Sequence, residues 1–399
     1  MEKIHDYDYE YKSLLKTHAL YSFITAITAI IVPLWLVHKK ITVGEIGLIF
    51  AASPFIFLIL RLIFAALADN TGPKRIGIIY SISGLTSIIL YLFSPSAMIY
   101  GFAKIAEGIR SSAFWAISRS EIIHDEQTKE EQGSILARFS SVREIASASG
   151  NVMAGVFILA LAFEHIFYAL IIFSALLILF TLDMSNNIRK QNREQLHEKN
   201  PGIRSIANKI FAPQSKNFWK NSTWLSIISL GPTSSVYLLA LYFGSALNIE
   251  TGTTAIILTV LAIITALSSW LSTQLNFGIR ELLFLNIAGI IGFISAYFAG
   301  NHPVILWGSV ILLGIGNSAA TLIWEFLVVG HVRSGNANLA TKLGLTNVPL
   351  RILEIIFFAS SGFIISSFGY LPLFIFCSGL IAIFMYVVLI KRNGDFHVV

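Results

Sequence analysis

Apolar residues run along this chain in blocks of about twenty, separated by short polar stretches. The blocks predict helices at 17–37, 44–68, 75–93, 97–118, 138–162, 165–184, 222–247, 253–275, 280–299, 303–327, 343–367 and 371–390. A helix of about twenty residues rises about 30 Å, the thickness of a bilayer's hydrocarbon core. The runs are unbroken, with Gly, Pro and Ser scattered inside them. They do not read as the alternating segments of about ten residues that build a membrane β-barrel. The expected fold class is therefore all-α and integral to the membrane, with twelve transmembrane helices.

One block departs from the pattern. The stretch 100–121, YGFAKIAEGIRSSAFWAISRSE, sets Lys104, Glu107 and Arg110 three residues apart. Ser111, Phe114, Trp115 and Ser118 continue that stripe at helical spacing. Ionisable groups at membrane depth are expensive unless they pair or face water, so by default they mark the path of a solute or an ion.

Composition agrees with a polytopic membrane protein. Of 399 residues, 55% are hydrophobic and 13% charged, against about 25% charged in soluble domains. The net charge of +6 does not point to nucleic acid, because the basic residues lie in short loops and one central segment. Lys74, Arg75, Arg119, Lys129, Arg138, Arg280, Arg333, Lys342, Lys391 and Arg392 sort to one side, and the opposite loops carry Lys39 and Lys40. By the positive-inside rule both termini are expected in the cytoplasm, with the chain multi-pass in the cell membrane. The polar start of the chain has no short apolar core with a cleavage site behind it, so the first apolar run is expected to be a span. The single cysteine, Cys377, allows no disulfide within the chain and no cysteine-based metal site, and reads as a small buried hydrophobe.

Between the sixth and seventh helices lies a basic segment, 185–221, with Arg189, Lys190, Arg193, Lys199, Arg204, Lys209, Lys216 and Lys220. It is expected to be a cytoplasmic linker joining an N-terminal half, 1–184, to a C-terminal half, 222–399. The stretch 203–211 has the pattern of a surface helix against anionic lipid, although a solvated connector is the expected role. The halves echo each other. Gly108-Ile-Arg110-Ser-Ser112-Ala113 matches Gly314-Ile-Gly316-Asn-Ser318-Ala319 at an offset of 206, and Gly72-Pro-Lys74 matches Gly278-Ile-Arg280 at the same offset. Arg143 and Arg351 repeat at 208. Two pseudo-symmetric six-helix bundles with a site at the midplane between them are the architecture this implies.

The stretch Ala65-Ala-Leu-Ala-Asp69-Asn-Thr-Gly72-Pro-Lys74-Arg75 resembles the loop signature of the major facilitator superfamily, with Asp69, Gly72, Lys74 and Arg75 at signature positions. In that family the carboxylate and the basic residues form a cytoplasmic charge relay, a role the resemblance assigns here to Asp69, Lys74 and Arg75. Lys104, Glu107 and Gly108 look like the family's Arg-x-x-x-Gly pattern, whose cation is associated with proton transfer in proton-coupled members. Ala146-x-x-x-Gly150-Asn151-x-x-Ala154-Gly155 resembles the antiporter signature, with Asn151 where that signature has proline. Small residues at that spacing also permit close helix packing.

The expected roles follow from depth and chemistry. Glu107 is the first candidate proton carrier, with Lys104 beside it and Glu325 as the second candidate. Arg110, Trp115, Arg61, Tyr237 and Trp324 are expected at the substrate cavity, and the Gly231-Pro232 step before Tyr237 as a hinge. Asp69, Gly72, Lys74, Arg75, Arg143, Glu144, Arg351 and Glu354 are expected at the cytoplasmic gate. Trp35, Trp219, Trp224 and Trp307 lie near helix ends and suit the membrane interface.

No phosphate-binding Gly-x-x-x-x-Gly-Lys-Ser/Thr and no catalytic cluster is present in the sequence, so no cofactor, metal or enzymatic activity is expected. The expectation is a monomeric secondary transporter with a small-molecule substrate, protons and membrane lipids as partners, exporting organic or drug-like solutes. Uptake or facilitated movement of an anionic organic solute or a sugar is the alternative, because buried cations outnumber buried acids. A lipid flippase or a non-transporting receptor is the alternative from another class.

Overall fold

In the computed structural model every span predicted from hydropathy is a helix. The structure describes residues 2–71, 73–118, 129–184, 214–275, 277–300, 302–332 and 339–391. The N-terminal half contains α1 (Glu2–His38), α2 (Val43–Thr71), α3 (Pro73–Phe93), α4 (Ala97–Ser118), α5 (Lys129–Ala160) and α6 (Phe163–Asp183). The C-terminal half contains α7 (Lys216–Leu241), α8 (Thr251–Gln274), α9 (Ile279–Phe298), α10 (Pro303–Val332), α11 (Leu339–Thr346), α12 (Val348–Phe368) and α13 (Leu371–Lys391). Among the described residues, 11 helical segments are long and apolar enough to cross a membrane, and α11 and α12 supply one of these between them. The remaining span is α4, which has 22 residues but carries Lys104, Glu107 and Arg110 within its length.

Several ends differ from expectation for physical reasons. Helices α1, α5 and α10 run past their apolar blocks, because hydropathy reports only the part in hydrocarbon. Helix α7 starts at Lys216 rather than 222: Ser215 caps it, its Oγ accepting from the Phe218 N–H at 3.1 Å. The expected linker therefore ends earlier, and its residues 185–213 lie outside those described. The eleventh predicted helix is divided at Asn347, with Pro349 in the first turn of α12, where its missing N–H costs nothing. Helix α7 continues through Pro232, and its irregularity comes later, as a π turn at Tyr242–Ala246.

Glycines set how closely the helices cross. A Cβ on Gly108 would strike the Ile56 side chain and sit 2.6 Å from the Ser53 carbonyl oxygen, so Gly108 seats α4 on α2. A Cβ on Gly314 would sit 2.6 Å from Ile264 Cγ2 and 3.2 Å from the Leu261 carbonyl oxygen, seating α10 on α8. The repeated glycine thus does the same work in both halves, against partners that repeat as well.

Among the described residues the halves meet chiefly along two seams, with α1 also packed on α7. Helix α2 lies against α12: Gly44 touches Gly362, and a Cβ on Gly47 would sit 2.5 Å from the Phe358 carbonyl oxygen. Helix α5 meets α8 where the Thr259 hydroxyl donates to the Asn151 carbonyl at 3.0 Å, beside Gly155. Both contacts lie toward the end opposite Lys74, Arg75 and Arg280, which mark the basic end. One hydrophobic cluster spans both halves, holding Ile27, Ile46 and Phe167 together with Tyr237, Leu258 and Phe374.

Trp35 corrects an expectation. It is fully buried, its Nε1 donating to the Tyr91 carbonyl at 3.1 Å and its ring packing on Phe163 and Phe167. Trp219 and Trp307 are exposed, as an interface residue would be, whereas Trp224 is partly buried against a core cluster of the C-terminal half.

Replacing Gly108 with Ala should destabilise the protein by about 1–3 kcal/mol, because the Ser53 carbonyl cannot yield. Gly379, which has open space around it, should gain roughly 0.5–1 kcal/mol from the same change. Thermal unfolding in detergent compares the two, and equal effects would mean that the crossing is not glycine-limited.

Candidate functional site

The charged stripe of α4 faces inward and is held by three other helices. The Lys104 Nζ donates to both Glu107 carboxylate oxygens, at 3.0 and 2.9 Å. From α3, the Tyr91 hydroxyl donates to Glu107 Oε2 at 3.0 Å. From α2, the Phe50 ring lies under the ammonium group, 4.1 Å from Nζ to its centroid. One carboxylate is therefore chelated by an ammonium on its own helix and by a phenol on the next.

The same group reaches the other half of the molecule. The Phe50 ring lies 4.8 Å from that of Tyr237 on α7. Tyr237 is buried, and its hydroxyl shares a 2.7 Å hydrogen bond with Ser361 on α12. Contacts thus run from Tyr91 through Glu107, Lys104 and Phe50 to Tyr237 and Ser361, crossing the seam between halves. Beside them in the C-terminal half, Asn317 Nδ2 donates to Ser235 Oγ at 3.0 Å, joining α10 to α7.

Arg110 stands one turn further along α4. It is 1% exposed, and its guanidinium lies 5.5 Å from the Tyr21 ring of α1. Its Nε and Nη2 make no hydrogen bond among the described residues. A Cβ on Gly84 of α3 would come within 2.8 Å of Arg110 Cδ, so that glycine makes room for the side chain.

A second charged group lies toward the basic end. Arg143 on α5 donates to Glu144 Oε1 from Nε and Nη2, at 3.1 and 2.7 Å, and its Nη1 is 3.6 Å from Glu325 on α10. Its guanidinium lies 5.9 Å from the Trp115 ring. Glu325, expected as a second proton carrier, is thus placed opposite an arginine of the other half. Arg351 pairs with Glu354 on α12, while its guanidinium sits 4.1 Å from the Phe57 ring of α2. Arg61 is buried on α2, where it faces Gly344 of α11. Trp324 packs against Leu225 and Val328 inside the C-terminal half.

Of the loop signature, Lys74 is half-buried and Arg75 exposed in the first turn of α3; Gly72 and the side chain of Asp69 lie outside the described residues. In the stretch resembling the antiporter signature, a Cβ on Gly150 would sit 2.5 Å from the Phe23 carbonyl oxygen of α1, and one on Gly155 would sit 2.7 Å from Thr259 Oγ1 of α8. Both glycines are needed for packing.

Sequence reasoning missed Phe50, Tyr91 and Phe57. Tyr91 had a usable signal, since a phenol inside an apolar span requires a partner for its hydroxyl. Phe50 and Phe57 had none, because aromatic residues are common throughout these spans.

Residues 15–348 match the sequence profile of the Major Facilitator Superfamily. No curated protein matches the chain in sequence. A crystal structure of the nucleoside transporter NupG, in a mutant form, superposes with a TM-score of 0.72, covering 96% of this chain and 100% of that one at 13% identity. That likeness is one of fold, and it agrees with the two six-helix bundles described above. The chain belongs to the major facilitator superfamily and is a multi-pass membrane transporter rather than an enzyme.

Proposed function

We propose that this chain moves a small organic solute by alternating access of its two halves, coupled to protons through Glu107. The observation that supports this best is a single carboxylate bound by Lys104 and Tyr91, one aromatic ring away from the other half. A proton on Glu107 removes its charge and with it the hold on Lys104, so protonation is transmitted to the seam that must open. With the basic end in the cytoplasm, Arg143–Glu325 and Arg351–Phe57 close the inner side and the glycine contacts of α2 with α12 close the outer side. Asp69, Lys74 and Arg75 keep the relay role that the resemblance assigns them.

Export was the expected direction, a preference that rested mainly on how common exporters are in the family. The α5 stretch adds nothing to that direction, because Asn151 stands where the antiporter signature has proline and the glycines beside it serve packing. Uptake of an anionic solute together with protons is the second reading, favoured by the surplus of cations over acids on the α4 stripe. The nucleoside transporter that shares the fold adds a neutral polar solute to the panel worth testing.

Proteoliposomes holding a trapped pH dye decide coupling and direction. Proton efflux from acid-loaded vesicles on adding an organic cation outside is expected for antiport. Acidification of the lumen on adding an organic anion outside is expected for symport. In either case Glu107→Gln should lower coupled flux to that of empty vesicles, and full flux in that variant would remove Glu107 from the mechanism.

Replacing Arg143 with Gln should loosen the inner seam. Spin-label distances across the basic end should shift toward longer values, the closed population falling by roughly tenfold, equivalent to about 1.4 kcal/mol. An unchanged distance distribution would show that the pair with Glu325 holds nothing shut.

A further inference from the structure

The internal repeat supplies a control for the α4 stripe. At its offset of 206, Lys104, Glu107 and Arg110 correspond to Val310, Leu313 and Gly316 of α10. In the C-terminal half these positions are apolar and buried, and Gly316 packs directly on the backbone of Gly289 of α9. Arg110 faces Gly84 of α3 at the corresponding crossing. The fold is satisfied by a small residue at that place, so packing does not account for the arginine.

Charge does not balance around it. Two cations, Lys104 and Arg110, share one carboxylate, leaving one positive charge over. Among side chains described in the N-terminal half there is no second acid at that depth: besides Glu107 these acids are Glu45, Glu164 and Asp183 at helix ends, and Glu144, which is bound by Arg143. The other polar neighbours are the phenols of Tyr21 and Tyr91 and the imidazole of His18, which stacks on Phe114. Glu107 spends both oxygens on Lys104 and Tyr91, while two buried nitrogens of Arg110, Nε and Nη2, lack a hydrogen bond among the described residues.

We propose that Lys104 binds the anionic group of a small aromatic monoanion, and that Glu107 is handed over to Arg110 when it does. When the anion binds, Arg110 rather than a proton releases Lys104, and protonation of Glu107 belongs to a later step of the cycle; this deepens the transporter reading and rests on it. Lys104 is the cation at the seam, with the Phe50 ring beneath it and the Tyr237 and Phe358 rings 4.8 and 5.9 Å from Phe50. Those rings suit a flat apolar body, and the ammonium suits one carboxylate. Arg110 lies three residues beyond Glu107 on the same face, within reach of its charge, with donors to spare. After the exchange each cation has one anion, and the surplus charge is gone. One negative charge completes the group, and a second would exceed it.

Benzoate and its neutral isostere benzamide are the probes, with binding of radiolabelled benzoate measured on the purified full-length protein. Benzoate should bind, benzamide should not displace it, and Lys104→Gln should abolish binding. Arg110→Gln should weaken binding by about tenfold, with Arg110→Lys restoring most of it. Tyr91→Phe should tighten binding several-fold, because it frees Glu107 to leave Lys104; a purely structural hydroxyl would not do this. That variant keeps the test open if Arg110→Gln does not fold.

Equal displacement by benzamide, no binding by folded wild-type protein, or no effect of Tyr91→Phe would overturn the proposal. So would binding that needs acid and ignores Arg110→Gln, which would put a proton on Glu107 in place of the arginine. Coupled proton flux with a neutral solute but no benzoate binding would sink this site and leave the transporter reading standing. Benzoate binding without flux for any solute would do the reverse.

Discussion

Hydrocarbon solvates neither peptide groups nor charges, and this constraint governs the placement of polar atoms in the spans. The backbone meets it by being helical. Serine and threonine side chains meet it locally: Thr25 donates to the Tyr21 carbonyl, Ser226 to Ser222 and Ser378 to Phe374, each one turn back on its own helix. Such hydroxyls leave no demand on neighbouring helices. Ionic groups cannot be satisfied so cheaply, and among the described residues the deep ones gather in the α4 stripe and toward the basic end, where Arg143 meets Glu325, Arg351 meets Glu354 and Arg61 is buried.

Much of this was legible before any coordinates. Blocks of twenty apolar residues are enough to count spans, and the recurrence of Gly108 as Gly314 is enough to pair the halves. The charges of α4 stood out because nothing else in an apolar helix obscures them. Their partners did not. Phe50 sits in an apolar run like many other phenylalanines, and its position under Lys104 depends on how α2 crosses α4 at Gly108. Trp35 misled for a related reason: proximity to a helix end suggests an interface residue, but the α6 ring pair of Phe163 and Phe167 covers it. Helix ends were also obscured, because hydropathy is blind to helical turns in water. Glu325 could be read as ionisable and close to a helix end, yet its arginine lies on a helix of the other half.

The repeat clarifies which features serve the fold and which do not. Equivalent crossings in the two halves need equivalent small residues, and both halves have them. Where one half keeps a glycine and the other places an arginine, structural need is ruled out by comparison within the chain itself. The same reasoning applied to α5 has the opposite result: Gly150 and Gly155 are each occupied in packing, so their likeness to a transport signature has a structural cause.

The two ends of the molecule are closed by materials of different kinds. At one end Gly44 and Gly362 bring bare backbones together, a contact that by itself freezes no side chain. At the basic end closure immobilises Arg143, Glu325 and Arg351, long side chains that each lose up to about 2 kcal/mol of rotamer freedom. Side-chain entropy therefore weighs on these ion-pair contacts and not on the contact of Gly44 with Gly362. On the gating proposed above, warming would favour the conformation in which these arginines are released.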